Sequence, residues 1–590
     1  MSCAKFAFML RPIPPISIEE FFQSLQRCMP PGGWPETLAV GNSGGPDSTC
    51  LLFLLSSVLE QAKGSYGLPF KLYSIHIDHD LQPANREMAD WARRNANAFR
   101  VQHHTYEVPW GSFPFPKSPH SKLETFEKVA REARQNRLFH GMSVSHADAI
   151  ALAHHADDQV ETAVMRMAMG SGLVGLAGMR PVRRWGMDVG QFGAFAGPEG
   201  MSRWIVRPLL WFSKDRILET CETNELPYTN DPTNFQPAIS IRNAVRHCLA
   251  ENKDISEVVT KKDLKDAPGA QVVVEQIPKL QAALEKLREQ ADRMQDSAIF
   301  EGRDRLREVV RRFSTRLEAL DSEVSNVLMP CLLPSPPSTL LLSIPELQEI
   351  GDPDVRVGIA RRILRYLSPR PWGSLAAEAK GDSAALNNLV KKIWCIPSRI
   401  PELDPVPLPF SAPSTVQFWP MVVRTDEMIR RRKVLNFGEV PVWLAQRAPP
   451  HSAKQLAREG RANPLIKDLS KFFVGLQRRD KIHFMLYDCR FLLTFTFEDM
   501  PSDIFVATLD PTTKFLVKSY TSWFLPQVIM QRQGEQDQVL ARFKYKHPRW
   551  SETQERENSK DIKEREDDVL VRGDGDAWIK IEFIRTLEAL

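Results

Sequence analysis

Leu38-Ala39-Val40-Gly41-Asn42-Ser43-Gly44-Gly45-Pro46-Asp47-Ser48-Thr49 decides the fold of this 590-residue chain. Leu38-Ala39-Val40 reads as a buried strand and Thr49 to Leu59 as a buried helix, so the segment between them is a strand-to-helix turn. A glycine pair in such a turn lets free N–H groups, and the positive end of the helix dipole, approach an anion. The hydroxyls of Ser43 and Ser48 can add hydrogen bonds to phosphate oxygens. The Lys-Ser/Thr pair that closes the usual phosphate loop is missing, and Asp47 stands where that lysine would be. A carboxylate beside phosphates makes sense mainly with Mg²⁺ between them. Two other readings compete. Gly41-Asn42-Ser43-Gly44-Gly45 fits the G-x-S-x-G elbow, which would make Ser43 the nucleophile of an acyl hydrolase. A plain glycine turn would need no ligand at all.

A second cluster favours the nucleotide. Ala149 to Ala153 is a short apolar run that ends in His154-His155-Ala156-Asp157-Asp158-Gln159-Val160-Glu161-Thr162 and continues as a helix through Met169. Ligands of open α/β sheets bind beyond the carboxyl ends of the strands, so both clusters project into one crevice. With a helix start near Asp157, Asp158 and Glu161 share a face and His154 stands at the strand end beside them. Two carboxylates and an imidazole can hold Mg²⁺, take a proton from an amine or grip an ammonium group. An ordinary acidic helix start explains Asp157 well and the histidine pair poorly.

Further motifs follow in order: Ile77-Asp78-His79-Asp80-Leu81, Ala130-Arg131-Glu132-Ala133-Arg134, Gly170-Ser171-Gly172-Leu173 with Gly175-Leu176-Ala177-Gly178, and Arg207-Pro208-Leu209-Leu210. Asp231-Pro232-Thr233-Asn234 and Arg242-Asn243-Ala244-Val245-Arg246 close the series. From about Glu36 to His247 the chain resembles the PP-loop (N-type) ATP pyrophosphatases and, within them, the tRNA(Ile)-lysidine synthetase family. It departs from the family around Asp80 and Gln82, where a glycine and then an arginine are usual, and at Asn230, where an acid is usual.

The resemblance implies an α/β fold, a doubly wound parallel-sheet PP-loop ATPase domain of the adenine nucleotide alpha hydrolase-like kind, followed by a helical region and a C-terminal α+β region. It implies a ligase that adenylates the C2 oxygen of a wobble cytidine with ATP and Mg²⁺, then displaces AMP with free L-lysine. The partner would be a tRNA(Ile) with a CAU-type anticodon, and a homodimer is compatible with it. Ser43, Gly44, Gly45, Pro46, Asp47 and Ser48 would bind ATP, with Asp47 also holding the metal. Asp158 and Glu161, with His154 nearby, would hold and deprotonate the lysine, and Arg131 or Arg134 would balance phosphate charge.

A net charge of +4 gives no global basic field, but local arginines do better. Arg180, Arg183, Arg184, Arg203 and Arg207 follow the second cluster, and Arg242 and Arg246 lie one helical turn apart. Arg207, Arg242 and Arg246 are therefore the expected tRNA contacts, by neutralising phosphates. Arg430-Arg431-Arg432-Lys433 fits a tRNA-facing edge or a solvated face equally. The eight cysteines are scattered without a C-x-x-C pair, against a disulfide framework, a zinc ribbon or the paired cysteines common in PP-loop thiolases. No apolar run reaches the roughly 18 residues needed to span a bilayer. Met1 to Ile18 has Lys5 and Arg11 and no acid, a faint transit-peptide pattern poor in arginine and serine. It is mainly the resemblance to eukaryotic members of the family that implies a mitochondrial location, with a cytoplasmic one as the alternative.

The length predicts roughly three to four domains. The expected layout is an N-terminal extension at 1–35, the PP-loop domain at 36–250, a helical domain at 275–396 and a Pro-rich linker at 397–415. A mixed domain at 416–590 would follow, with a charged insertion at 552–568. Strands are expected near 37–41, 71–78, 103–108 and 148–153, with helices at 48–60, 84–100, 121–140 and 158–169. Leu280, Leu284, Leu287 and Ala291 are spaced as a coiled-coil seam, but over only about two heptads, so a helix packed on the PP-loop domain is the better account.

Overall fold

The computed structural model describes residues from 13 onward except 63–66, 82–83, 113–114, 118–125, 188–196, 231–239, 252, 259–269, 295–301, 395–407, 425–428, 431–438, 475–481, 545–577 and 590. Outside the described residues lie Asp231-Pro232-Thr233-Asn234, the charged run at 552–568, most of the Pro-rich linker, Arg431 to Lys433 and most of the candidate transit segment. The chain divides into two compact units, Met1–Glu318 and Ala319–Ala589.

The first unit holds the crevice. A short helix, α1 (Ile18–Gln26), is capped by Ser17 in a capping box with Glu20. Then come β1 (Thr37–Gly41), α2 (Pro46–Gln61), β2 (Lys71–Asp78), α3 (Ala84–Ala98), β3 (Gln102–Glu107), α4 (Phe126–Val144), β4 (Ala149–Ala151) and α5 (Ala156–Ala168). After these come α6 (Leu173–Leu176), β5 (Val182–Arg184), β6 (Trp204–Val206), α7 (Lys214–Thr223) and α8 (Ile241–Glu251). The six strands form one sheet in the order β3-β2-β1-β4-β6-β5. Every neighbouring pair is parallel except β5 with β6.

Because β1 leads to β2 on one side and lies against β4 on the other, the order reverses between β1 and β4. That switch point is where an open sheet leaves a crevice beyond its strand ends. The expected strands and helices are present here, with boundaries shifted by a few residues. The strands are short and apolar because both faces are covered: Leu38 and Val40 pack with α2, whereas Ala39 and Ile150 pack with Tyr73, Ile75 and Met142. The seam residues Leu280, Leu284, Leu287 and Ala291, on the helix Ala270–Asp292, are buried against Val160, Ala163 and Val164 of α5 and Val245 of α8.

Residues 275–396, expected as a helical domain, contain the helices Ala270–Asp292, Gly302–Cys331, Pro353–Leu367 and Ser383–Trp394. The division between units falls at Glu318, inside the continuous helix Gly302–Cys331, and the span also contains strand Thr339–Ser343. That strand pairs with Glu439–Arg447, which pairs with Val416–Arg424. The helices Pro353–Leu367 and Ser383–Trp394 cover this sheet, burying Ile359, Ile363 and Ile393 against Phe418 and Trp443. Further along the second unit, Ile482–Tyr487, Phe491–Thr496 and Ile579–Phe583 make a three-stranded antiparallel sheet. Its Phe495 and Trp578 share a core with Phe473 and with Phe515 of a four-stranded sheet.

Candidate active site

The loop between β1 and α2 is held in shape by its own side chains. Asn42 is buried, and its Oδ1 accepts the Gly44 N–H at 3.1 Å and the Ser48 hydroxyl at 3.3 Å. Its Nδ2 donates to Ser74 Oγ at 3.1 Å and to the Ala92 carbonyl at 3.0 Å. Ser48 Oγ also accepts the Ser43 N–H at 3.1 Å, so this hydroxyl shapes the loop from inside. Ser43 is exposed at the loop surface. Gly44 has φ +79, and a Cβ there would sit 2.4 Å from the Met88 carbonyl of α3. At Gly44, then, it is α3 that a side chain would meet.

Ser43 does not form a nucleophile elbow. Its hydroxyl lies 3.2 Å from Ser48 Oγ and accepts the Gly45 N–H, and no histidine among the described residues is bonded to it. A serine without a base to take its proton is a weak nucleophile.

The loop after β4 meets the first loop. The Leu152 N–H bonds to the Val206 carbonyl and the Ala156 N–H to the Phe212 carbonyl, which fixes the start of α5. Beside the expected His154, which is half-buried at the end of β4, the buried imidazole of His155 stands among the carboxylates. His155 Nε2 lies 3.8 Å from Asp47 Oδ1 and 3.5 Å from Asp158 Oδ2, and its Nδ1 lies 3.6 Å from Asp157 Oδ2. Burial opposes its charge, but the Asp158, Asp157 and Asp47 carboxylates outweigh burial and raise its pKa to about 9. His154 is held neutral by burial and by the Arg207 guanidinium, and its Nδ1 has no hydrogen-bond partner. Asp158 stays ionised, with a pKa lowered to about 2: burial works against ionisation, and the charges of His155 and Arg242 overcome it. Its Oδ2 also accepts the His155 N–H at 3.1 Å.

Glu161 is only 1% exposed. Arg246 grips it through two hydrogen bonds, at 2.8 and 3.2 Å. Arg242 Nε lies 3.7 Å from Glu161, and both arginines reach toward Asp158 Oδ1, at 3.7 and 3.5 Å. Burial and the Asp158 charge raise the pKa of Glu161, while Arg246 opposes them. Arg242 and Arg246, the expected tRNA contacts, thus face the α5 carboxylates, with side chains 24% and 34% exposed. Arg207, the third expected contact, is 6% exposed and donates to the Arg180 carbonyl at 2.8 Å.

Arg131 and Arg134 are exposed on α4. Arg134 lies within electrostatic range of Arg131 and Arg242, and Arg166 within range of Arg131, Arg180 and Arg242. Both expected arginines thus join a positive group beside the carboxylates.

Sequence reasoning missed three residues. Lys214, at the start of α7, places Nζ 2.6 Å from Asp47 Oδ1, and its N–H donates to Asp157 Oδ2 at 2.9 Å. Arg307, on the helix Gly302–Cys331, bonds Asp157 Oδ1 at 2.5 and 3.1 Å. Gln159 holds the glycine turn after α6, exchanging hydrogen bonds with the N–H and carbonyl of Met179. Only the Gly175–Gly178 spacing hinted at the last of these.

A phosphate-shaped loop and an acid–base cluster facing each other across the switch point define a PP-loop protein, and residues 18–253 match the PP-loop domain family. This part of the chain is a PP-loop domain. Over it the chain is similar to tRNA(Ile)-lysidine synthases. It is 33% identical over 199 residues to that of Bacillus subtilis, covering 34% of this chain and 36% of that one. For Alkalilimnicola ehrlichii the identity is 32% over 240 residues, covering 41% and 46%. A probable tRNA(Ile)-lysidine synthase of Schizosaccharomyces pombe is 28% identical over 248 residues, covering 42% and 51%. The match spans about half the length of these relatives or less.

Proposed function

We propose that this chain is an ATP-dependent ligase that converts the wobble cytidine of a tRNA(Ile) to lysidine. One observation carries the reading: His155 bridges Asp47 of the phosphate loop and Asp158 of α5, at 3.8 and 3.5 Å. Nucleotide chemistry and amine chemistry then share one crevice. The names of the relatives support the substrate class, and the family supports the use of ATP.

Cytosine O2 attacks the α-phosphorus of ATP, an O–P bond forms, and pyrophosphate leaves. The lysine ε-amine then forms a bond to C2 as the C2–O bond breaks, and AMP departs with that oxygen. The positive end of α2 and the exposed Ser43 hydroxyl stabilise phosphate charge. Asp158, ionised at the mouth of α5, holds the incoming lysine ammonium by its charge, and the amine reacts once its proton has passed to water. Glu161 acts one step back by holding Arg246, and Arg242 and Arg246 together set the position of the Asp158 carboxylate. Arg131 and Arg134 supply positive charge toward the phosphates.

The donors suit an Mg²⁺ ion carried with the nucleotide, since such ions use one or two carboxylates plus phosphates and waters. Asp47 offers one partly exposed carboxylate in the loop. Among the described residues no three His, Cys, Asp or Glu side chains converge as a metal cage. When bound, the ion would neutralise charge on the departing pyrophosphate.

The test is incorporation of labelled lysine into purified tRNA(Ile) with the wild-type chain, alongside pyrophosphate release. Both should depend on tRNA and ATP. Ester hydrolysis that is abolished in Ser43→Ala, with no pyrophosphate release, would replace this reading with the hydrolase.

A further inference from the structure

The phosphate loop carries no lysine of its own, and Asp47 occupies the position where one would be expected. The structure brings a lysine to that place from elsewhere in the chain. Lys214 begins α7, which Ser213 caps, and its side chain runs across the crevice to the loop. Its Nζ is 2.6 Å from Asp47 Oδ1, while its backbone N–H is fixed to Asp157 Oδ2 at 2.9 Å. The residue therefore touches both halves of the site, its main chain on the acid–base side and its ammonium on the phosphate side. The ammonium is not entombed: the side chains of Lys214 and Asp47 are 30% and 31% exposed. An ion pair that open to solvent contributes little to stability by itself. A mobile, partly hydrated ammonium on a flexible stem is well suited to exchange one oxygen partner for another.

We propose that Lys214 is the phosphate-binding lysine of this loop. When the nucleotide enters, its ammonium leaves Asp47 for the non-bridging oxygens of the outer phosphates and follows them into the departing pyrophosphate. Asp47 is then free to face a cation. The assignment rests on the nucleotide reading of the site given above. It separates Lys214 from a residue that merely neutralises Asp47, because the two roles differ in which ligand they affect.

The experiment measures binding of inorganic pyrophosphate and of AMP to the full chain by calorimetry, first in EDTA and then with Mg²⁺. Lys214→Met should weaken pyrophosphate and ATP by about tenfold or more, as expected for a lost hydrogen bond to a charged group, and leave AMP within about twofold. Lys214→Arg, which keeps the charge, should recover part of the loss. Removing Asp47 as well, in Asp47→Asn/Lys214→Met, should not restore metal-free pyrophosphate affinity. Restoration in that double variant, or an equal loss for AMP and pyrophosphate, would mean that Lys214 only neutralises Asp47. A wild-type chain that binds ATP and pyrophosphate beside a Lys214→Met variant of equal affinity overturns this assignment alone. A wild-type chain that binds neither overturns the nucleotide reading and the assignment together.

Discussion

His155 stands among three carboxylates, and its charge has a measurable consequence. Its pKa is raised from 6.5 to about 9, so the folded state binds the proton more tightly than the unfolded chain does. The stabilisation is complete below about pH 6.5 and is lost as pH rises toward 9. Metal-free wild type should show a melting temperature that falls across this window by circular dichroism, and His155→Gln should lack that part of the fall. An unchanged fall in the variant would show that other groups cause it. Glu161 supports a second prediction. Glu161→Gln removes one charge from a pair with two hydrogen bonds and should cost about 1.5–3 kcal/mol of stability. Because Arg246 then loses its anchor beside Asp158, pyrophosphate release and lysine transfer should fall together. A raised lysine requirement with normal pyrophosphate release would instead make Glu161 the lysine's own partner. In the sequence, His154 and His155 are indistinguishable. Which of them is buried among the carboxylates depends on β4 ending at Ala151 and on the turn before Ala156, and no residue pattern states that.

At the level of elements, the first turn of α5 is held from two directions. Lys214 at the start of α7 and Arg307 on the helix Gly302–Cys331 both bond Asp157. Arg307 lies beyond residues 18–253, so a helix outside the family match braces the site from behind. Arg307→Gln should lower the rate of lysine transfer by roughly tenfold, in line with lost charge-assisted hydrogen bonds, and should leave AMP affinity unchanged. Arg307→Lys should recover part of the rate. Equal loss in both variants would point to a packing defect instead. Alternating apolar strands and long helices made β1 to β4 and α2 to α5 legible from the residues alone. Strands β5 and β6 were not. Like β4 they have only three residues, but β4 sits in the apolar run Ala149 to Ala153 that leads into the His-Asp motif, whereas β5 and β6 flank a loop-like Gly- and aromatic-rich segment. Arg307 was invisible for another reason: a single arginine in a charged amphipathic helix looks solvated until its partner, 150 positions away, is known.

The molecule as a whole has one unit whose plan its motifs announce and one that has none. In the second unit the alternation in Phe491-Leu492-Leu493-Thr494-Phe495 did disclose a strand. Its partner Ile579–Phe583 lies far along the chain, beyond the charged run, and nothing local pairs the two. The division at Glu318 was equally unreadable, since it falls within an unbroken helix and no proline or glycine marks it. One test belongs to this unit. Asp488 is 4% exposed and accepts hydrogen bonds from Arg447 Nε at 2.8 Å and from Arg490 Nε at 2.9 Å, and both arginines are buried. Asp488→Asn leaves two enclosed cations without an anion. It should cost about 3–5 kcal/mol, read as a lower denaturant midpoint. A loss under 1 kcal/mol would mean that water reaches the pair.

The order of strands in the first sheet also sets a timetable. β1 lies in the middle, but its neighbour β4 and then β6 are made much later, the last ending at Val206. Ribosomes add about 5–20 residues per second, so the nascent phosphate loop waits on the order of ten to thirty seconds for the rest of its sheet. Throughout that interval Leu38, Ala39 and Val40 present an apolar strand with one edge unpaired, the kind of surface that chaperones hold and that other nascent chains can join. Lys214, Arg246 and Arg307 emerge later still. Translation speed between Gly41 and Val206 should therefore govern how much chain reaches a soluble, active form, even where the encoded residues are unchanged.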